Sequence, residues 1–180
     1  GFDKTVTVAK VVARGADAGN YEVVSSVATA DIFRKSITGA FTANDKTYDG
    51  AITATGTIRL TGLITGDRVI AGGVYAFANK NAGVGKLVTA SGVTLAGLDS
   101  GNYTLASVNG SDTADIFRKA ITGLIVANNR IYDGTTNATG AITLTGVILG
   151  DDLSISGDLD FGDRNAGFGK TVTASNVLVT

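Results

Sequence analysis

Apolar and small polar side chains alternate with a period of two through much of this chain, as in Thr5-Val6-Thr7-Val8, Ala141-Ile142-Thr143-Leu144-Thr145 and Leu153-Ser154-Ile155-Ser156. Successive side chains of an extended strand point to opposite faces, so each run predicts a strand with one face on a core and the other in water. Between the runs stand Gly66-Asp67, Asn79-Lys80-Asn81-Ala82-Gly83, Asn109-Gly110 and Gly150-Asp151-Asp152. Gly, Asn and Asp tolerate the backbone angles of tight turns, so these are predicted loops. Glu22 is the only glutamate, and the abundant Asp, Thr, Gly and Val favour strands and turns over helices.

The pattern repeats every 84 residues. Thr29-Ala30-Asp31-Ile32-Phe33-Arg34-Lys35 returns as Thr113 to Lys119, and Tyr48-Asp49-Gly50 returns as Tyr132-Asp133-Gly134. Residues 40–123 make one complete copy, residues 1–39 match only its second half, and residues 124–180 match only its first half. The N-terminal match is offset by 82 rather than 84, because the complete copy carries two extra residues around Asn109-Gly110-Ser111-Asp112. A regular repeat of this size predicts stacked copies of one small unit. Each copy should hold about seven short strands, at the spacing of a sandwich.

Asp99-Ser100-Gly101-Asn102-Tyr103-Thr104-Leu105 resembles the tyrosine corner of immunoglobulin-like sandwiches, and Asp17 to Val23 repeats it. Tyr21 and Tyr103 are therefore expected to be buried, with their hydroxyls bonded to backbone across a turn. The predicted fold class is all-β, with small Ig-like β-sandwich repeats of about 84 residues stacked into an elongated rod; a β-grasp-like repeat is the alternative. The ordered phrases Lys46-Thr47-Tyr48-Asp49-Gly50, Ile58-Arg59-Leu60-Thr61-Gly62, Gly83-Val84-Gly85-Lys86 and Gly101-Asn102-Tyr103-Thr104-Leu105 resemble the YDG-type repeats called MBG, which are mostly bacterial Ig-like domains. That resemblance covers essentially the whole chain. It implies a tandem module of a very large secreted surface protein, such as a filamentous-haemagglutinin-like adhesin, located at the bacterial cell surface. Members of that family often carry a proline after the ADI phrase, where this chain has Phe33-Arg34 and Phe117-Arg118.

Composition narrows the chemistry. The formal charge is −1 and there is no basic run, so nucleic acid is not an expected partner. No apolar stretch is long enough for a membrane-spanning helix. Cys, His, Trp, Met and Pro are absent, which removes disulfides and every thiolate or imidazole metal site. A chain that opens on Gly and lacks Met is expected to be a processed product or an excerpt, with its targeting information elsewhere.

Tyr48, Tyr132, Asp49 and Asp133 put a phenol beside a carboxylate, but Asp-Gly is also a turn pair, so Tyr48 and Tyr132 are read as structural. With no His and one Glu, no catalytic residue is assigned and the chain is not expected to be an enzyme. Asp151, Asp152, Asp158, Asp160 and Asp163 are the candidate Ca²⁺ ligands. Their aligned positions are Asp67, Arg68, Val74, Ala76 and Asn79, which argues against a shared site, so no cofactor is expected. Asn102, Asn109 and Asn137 fit the N-glycosylation pattern. The recurring Lys86 and Lys170 are candidates for isopeptide links.

At the junction, Ile32, Phe33, Ile116 and Phe117 are expected to make edge-strand or interdomain contacts, with Arg34, Lys35, Arg118 and Lys119 as solvated or cross-junction charges. The segment from Thr113 to Asn128 has no Pro and no Ser-rich stretch, unlike a flexible linker. The half copies admit two explanations. The strands from about Val11 to Phe33 of one chain could complete residues 124–180 of another by strand addition. Otherwise the chain is a window on a longer array, which is favoured because Gly1–Lys10 and Gly167–Asn176 match the same strand and would compete for one place. The expected function is a non-catalytic structural repeat of an adhesin stalk or surface fibre, self-assembling if the half copies join. The alternative is a glycan- or protein-binding module, whose distinctive patch would be Tyr75-Ala76-Phe77 against Asp158-Leu159-Asp160-Phe161.

Overall fold

The computed structural model describes residues 1–8, 11–24 and 27–180. Ala9 and Lys10, which end the Gly1–Lys10 match, and Ser25 and Ser26, within the Val11–Phe33 segment, lie outside the described residues. The protein is all-β: the described residues form strands and two short 3-10 turns, with no α-helix.

Two strands precede the complete copy, β1 (Lys4–Thr7) and β2 (Val27–Ala30). The next seven are β3 (Lys35–Ala43), β4 (Lys46–Thr47), β5 (Gly56–Thr61), β6 (Ile70–Phe77), β7 (Gly83–Ala96), β8 (Tyr103–Asn109) and β9 (Ser111–Phe117). After them come β10 (Thr122–Ala127), β11 (Gly140–Thr145), β12 (Ile155–Phe161) and β13 (Val172–Val179). The 3-10 turns Ala18–Asn20 and Ser100–Asn102 each lead into a corner tyrosine, Tyr21 and Tyr103.

A three-stranded sheet has the order β5–β3–β8, and a four-stranded sheet the order β4–β9–β7–β6. β3 pairs antiparallel with β5, and β6 with β7, whereas β3 with β8 and β4 with β9 are parallel. Side-chain alternation carries no information on strand direction, so the parallel pairings could not be read from the pattern. β10–β11 and β12–β13 reproduce β3–β5 and β6–β7 in the same register: Thr122 opposite Thr145 answers Thr38 opposite Thr61, and Ile155 opposite Val179 answers Ala71 opposite Leu95.

The chain divides into two compact units that do not coincide with the sequence copies. The first comprises Gly1–Asn44, Thr53–Phe77 and Leu87–Thr113, and the second Asp45–Ile52, Ala78–Lys86 and Ala114–Thr180. In the first unit, Ile37, Val69 and Tyr103 are buried together, flanked by Leu60, Leu63, Leu95 and Leu105. Nearby, Phe41 on β3 stacks on Tyr75 on β6 with ring centroids 4.7 Å apart. Offset aromatic pairs combine large apolar burial with favourable ring electrostatics. In the same unit, β1 and β2 pair only as a two-stranded ribbon, and all eight of their residues are exposed.

In the second unit Ala114 and Ile116 on β9 are buried, while every residue of β10 is exposed. The equivalent strand β3 is covered partly by Tyr103 and Leu105 of β8, and residues 124–180 hold no counterpart of β8. The same alternating sequence therefore buries its apolar face in one copy and bares it in the other.

Phe41→Ala should lower the unfolding free energy of the first unit by about 3–5 kcal/mol, the usual cost of truncating a buried ring. Leu149→Ala, at a fully exposed side chain, should change stability by about 0.5 kcal/mol or less. Urea unfolding followed by hydrogen exchange measures both, and an equal effect of the two would contradict this core.

Candidate functional site

The recurring Tyr-Asp-Gly phrase forms a clamped turn. In the complete copy, Asp49 Oδ1 accepts the Ala51 N–H at 3.0 Å, and Lys46 Nζ donates to Asp49 Oδ1 at 2.7 Å and to the Ala51 carbonyl at 2.8 Å. In the next copy, Asp133 Oδ1 accepts the Thr135 N–H at 2.9 Å, and Arg130 donates to Asp133 Oδ2 at 2.9 Å and to the Thr135 hydroxyl at 3.0 Å. The Lys46 hydrogen bond, then the Ala51 N–H, holds the Asp49 carboxyl below the usual range; the Thr135 N–H and hydroxyl do the same for Asp133. Gly50 and Gly134 sit at φ +79° and +80°. Only Gly adopts that region at little cost, which explains the third residue of the phrase.

The turn delivers Tyr48 to a carboxylate of the following copy, within the second compact unit. Tyr48 is half-buried, and its hydroxyl donates to Asp151 Oδ1 at 2.8 Å. Lys80 Nζ donates to the same oxygen at 3.0 Å and lies 6.0 Å from the centre of the Tyr48 ring. These donors, Tyr48 first and Lys80 next, hold the Asp151 carboxyl below the usual range, and Asp151 raises Lys80. Ile148 packs against the turn closely enough that a Cβ on Gly50 would lie 2.9 Å from its Cγ2. Tyr48, Asp151 and Ile148 line a cavity of about 310 Å³ together with Arg118, Lys119 and Ile121. Asp151 is held ionised and Lys80 protonated, so neither offers a proton exchange near neutral pH. The cluster is built to hold two copies together.

The tyrosine corner uses the equivalent carboxylate. Tyr103 is buried, its hydroxyl accepts the Ile64 N–H at 3.0 Å and donates to Asp67 Oδ2. The Asp67 hydrogen bond, followed by desolvation, raises the Tyr103 hydroxyl above its ordinary value. Asp67 and Asp151 stand 84 residues apart, so one repeat position serves Tyr103 within a copy and Tyr48 between copies. Tyr21, expected to be buried, is instead 75% exposed. Tyr103 packs against Ile37, Val69 and the flanking leucines, all but one of which precede β8 in the chain, and the described residues among 1–20 form no such sheet. Tyr132 is also exposed, at 60%.

The other predicted residues are dispersed. Ile116 is buried, Phe117 is 52% exposed, and their strand pairs with β4, whereas Ile32 and Phe33 are exposed, with Phe33 edge-on to Phe2. Arg118 and Lys119 are exposed beside the cavity, and Arg34 and Lys35 are exposed. Among the described residues no three acidic side chains form a group able to hold a metal. Asp151 faces Tyr48 and Lys80, Asp158 accepts from Asn176, Asp160 from Thr136, and Asp163 from Lys170 and the Asn165 N–H, while Asp152 is exposed.

Lys86 donates to Asn79 Oδ1 at 2.5 Å, and Lys170 donates to Asp163 at the equivalent place. Lys170, and then the Asn165 N–H, hold the Asp163 carboxyl below the usual range, the reverse of the neutral acid that amide formation needs. Asn102, Asn109 and Asn137 are exposed. Tyr75 is half-buried on Phe41 rather than displayed as a patch.

Residue-by-residue reading missed Asp67, Lys80 and the Lys46/Arg130 clamp. The recurrence of Asp67 as Asp151, and of a cation three residues before each Asp-Gly, was the available signal.

A family profile described as the YDG domain matches residues 34–110 and again residues 118–180. No curated protein and no solved structure matches the chain.

Gly50→Ala should destabilise the second unit more than Gly134→Ala. Both incur about 1–2 kcal/mol of left-handed backbone strain, but only the first also meets Ile148, since the nearest atom to a Cβ at Gly134 is the Tyr132 hydroxyl at 3.9 Å. Equal melting shifts would count against the Ile148 contact.

The junction should also be acid-sensitive. Asp151 lies below its ordinary value of 3.8 in the folded protein, so its contribution is complete above that value and is lost as pH falls through the lowered one. Carboxyl NMR titration should place Asp151 below 3.8, and Tyr48→Phe should move it upward. Titration at or above the ordinary value would remove the hydrogen bond from the account.

Proposed function

The chain belongs to the YDG-domain family, and on that premise we propose that it is a non-catalytic structural repeat of a bacterial extracellular adhesin stalk or surface fibre. The observation that carries this reading is the interlocked junction. Tyr48 and Lys80 of one copy bond Asp151 of the next, inside a compact unit assembled from both copies. A module whose copies share a unit resists separation at the joint, which suits a part that spaces a distant tip from a surface.

The segment between β9, ending at Phe117, and β10, starting at Thr122, is only four residues long and contains no proline. Short connections of this kind restrict the relative freedom of what they join. The clustered charges around Asp151 are engaged in holding the joint and leave no group poised for acid–base work. The family match spans both sides of the joint, in keeping with a tandem array. Among the described residues no helix is long and apolar enough to cross a membrane.

Antibodies against the chain should label intact cells of the parent organism, and external protease should abolish the signal. Labelling that appears only after lysis would overturn the extracellular assignment.

A further inference from the structure

Strand direction decides how a ladder of hydrogen bonds meets tension. When a chain is pulled along its length, the earlier strand of any pair is drawn by its N-terminal end and the later strand by its C-terminal end. In an antiparallel pair those two ends lie together, so the bonds open one after another from that side. In a parallel pair they lie at opposite ends of the ladder, so the strands must slide and the bonds must break together.

The complete copy uses both kinds of pair. β3 with β5 and β6 with β7 are antiparallel and would open by peeling. β3 with β8 and β4 with β9 are parallel and would be loaded by sliding. Chain order then sets which pairs feel the load. The β3–β8 pairing closes the chain between Lys35 and Asn109, and β4–β9 closes it between Lys46 and Phe117. β5, β6 and β7 lie inside both closures, so tension drawn from Arg34 to Lys119 reaches them only after the parallel pairs have parted.

The two strands that take the load first are interior strands. β3 stands between β5 and β8, and β9 between β4 and β7. Six residue pairs join β3 to β8, from Lys35 opposite Tyr103 to Ala40 opposite Asn109. Ile37 and Tyr103 within that ladder are each 2% exposed, and hydrogen bonds shielded from water are electrostatically stronger.

β4–β9 has two pairs, Lys46 opposite Ile116 and Thr47 opposite Phe117, and further bonds flank them. Asp45 Oδ1 accepts the Asp115 N–H at 2.7 Å, and the Tyr48 N–H donates to the Phe117 carbonyl at 2.8 Å. Asp115 Oδ1 accepts the Gly85 N–H at 2.8 Å and so fastens β9 to β7. Near the start of β9, Asp112 Oδ2 accepts the Ala43 N–H at 3.0 Å, which ties the last strand of the copy to the end of the first. Bonds to a carboxylate are stronger than those between neutral groups. Asp45, Asp112 and Asp115 therefore staple one strand to its neighbours.

We propose that β3 with β8 and β4 with β9 form a shear clamp, and that the copy has the further function of bearing tension along the chain without lengthening. Peeling of the antiparallel ladders is blocked until the clamp slides. The structural-repeat reading above supplies the source of the tension, and the inference rests on it to that extent; the clamp itself is tested apart from it.

The chain contains no Cys, so thiol handles can be placed at chosen positions. Arg34→Cys with Lys119→Cys, both at exposed positions, loads the copy of the 180-residue chain along its length. Ile70→Cys with Ala96→Cys, exposed partners at the open end of β6–β7, loads the same protein by peeling. In optical-tweezers measurements the first pair should need several-fold more force, and should release all the chain between its handles in one step. Asp112→Ala should speed that rupture about tenfold at constant force, the scale of one hydrogen bond to a charged group, and leave the peeling of β6–β7 unchanged. The comparison of directions stands without the aspartate variant. Equal forces in the two directions overturn the proposal, as does stepwise release at lower force, or an Asp112→Ala effect of the same size in both directions. Such a failure, with cell-surface labelling intact, leaves the structural-repeat reading in place. A strong clamp in a chain labelled only after lysis leaves the clamp and removes the surface stalk.

Discussion

A single loop carboxylate in each copy organises the structure around it. Asp67 takes the Tyr103 hydroxyl, and Asp151, at the same repeat position, takes Tyr48 and Lys80. An ionised carboxylate accepting a hydroxyl makes a stronger bond than a neutral pair. It also fixes where the tyrosine body lies. Tyr103 is thereby held among Ile37, Val69 and the surrounding leucines, and Tyr48 is held across the boundary between copies. The same side chain thus closes a core in one setting and a joint in the other.

This double use explains why the compact units do not follow the sequence copies. Residues 45–52, 78–86 and 114–123 belong to the complete copy by alignment, yet they pack with residues 124–180. They carry the Tyr-Asp-Gly turn, the Lys80 loop and the end of β9, the three pieces that meet the next copy at Asp151, Ile148 and the cavity between. A small β repeat has little core of its own. Sharing a unit with its neighbour lets it bury surfaces that would otherwise face water, and the strength of the joint follows from the same burial. In the proposed stalk, stability and mechanical continuity therefore have one cause.

Exposure along the chain follows availability of partners rather than hydrophobicity. Ile32 and Ile116 are the same residue of the same phrase, yet one is 65% exposed and the other 2%. Tyr21 and Tyr103 stand in the same corner motif and differ as sharply. Unpaired strand edges and bare apolar faces are ordinarily blunted by charge, proline or cover. Strand β10 carries no charge and no proline, and every one of its residues is exposed.

The sequence by itself determined the period, the strands and the turns. Alternation and the 84-residue recurrence need only local backbone geometry and chain comparison, so the seven strands of the complete copy and the turn at Tyr-Asp-Gly were legible in advance. The tyrosine corner was legible too, but only as a motif. Whether its ring is buried depends on strands distant in the chain, which Tyr103 has and Tyr21 lacks. The parallel pairing of β3 with β8 and β4 with β9, and the meeting of Tyr48 with Asp151 across 103 residues, were decided by tertiary structure. Side-chain periodicity specifies which face a residue occupies but not which strand lies beside it, and a carboxylate in a loop declares its partner only once the chain has brought a donor within about 3 Å.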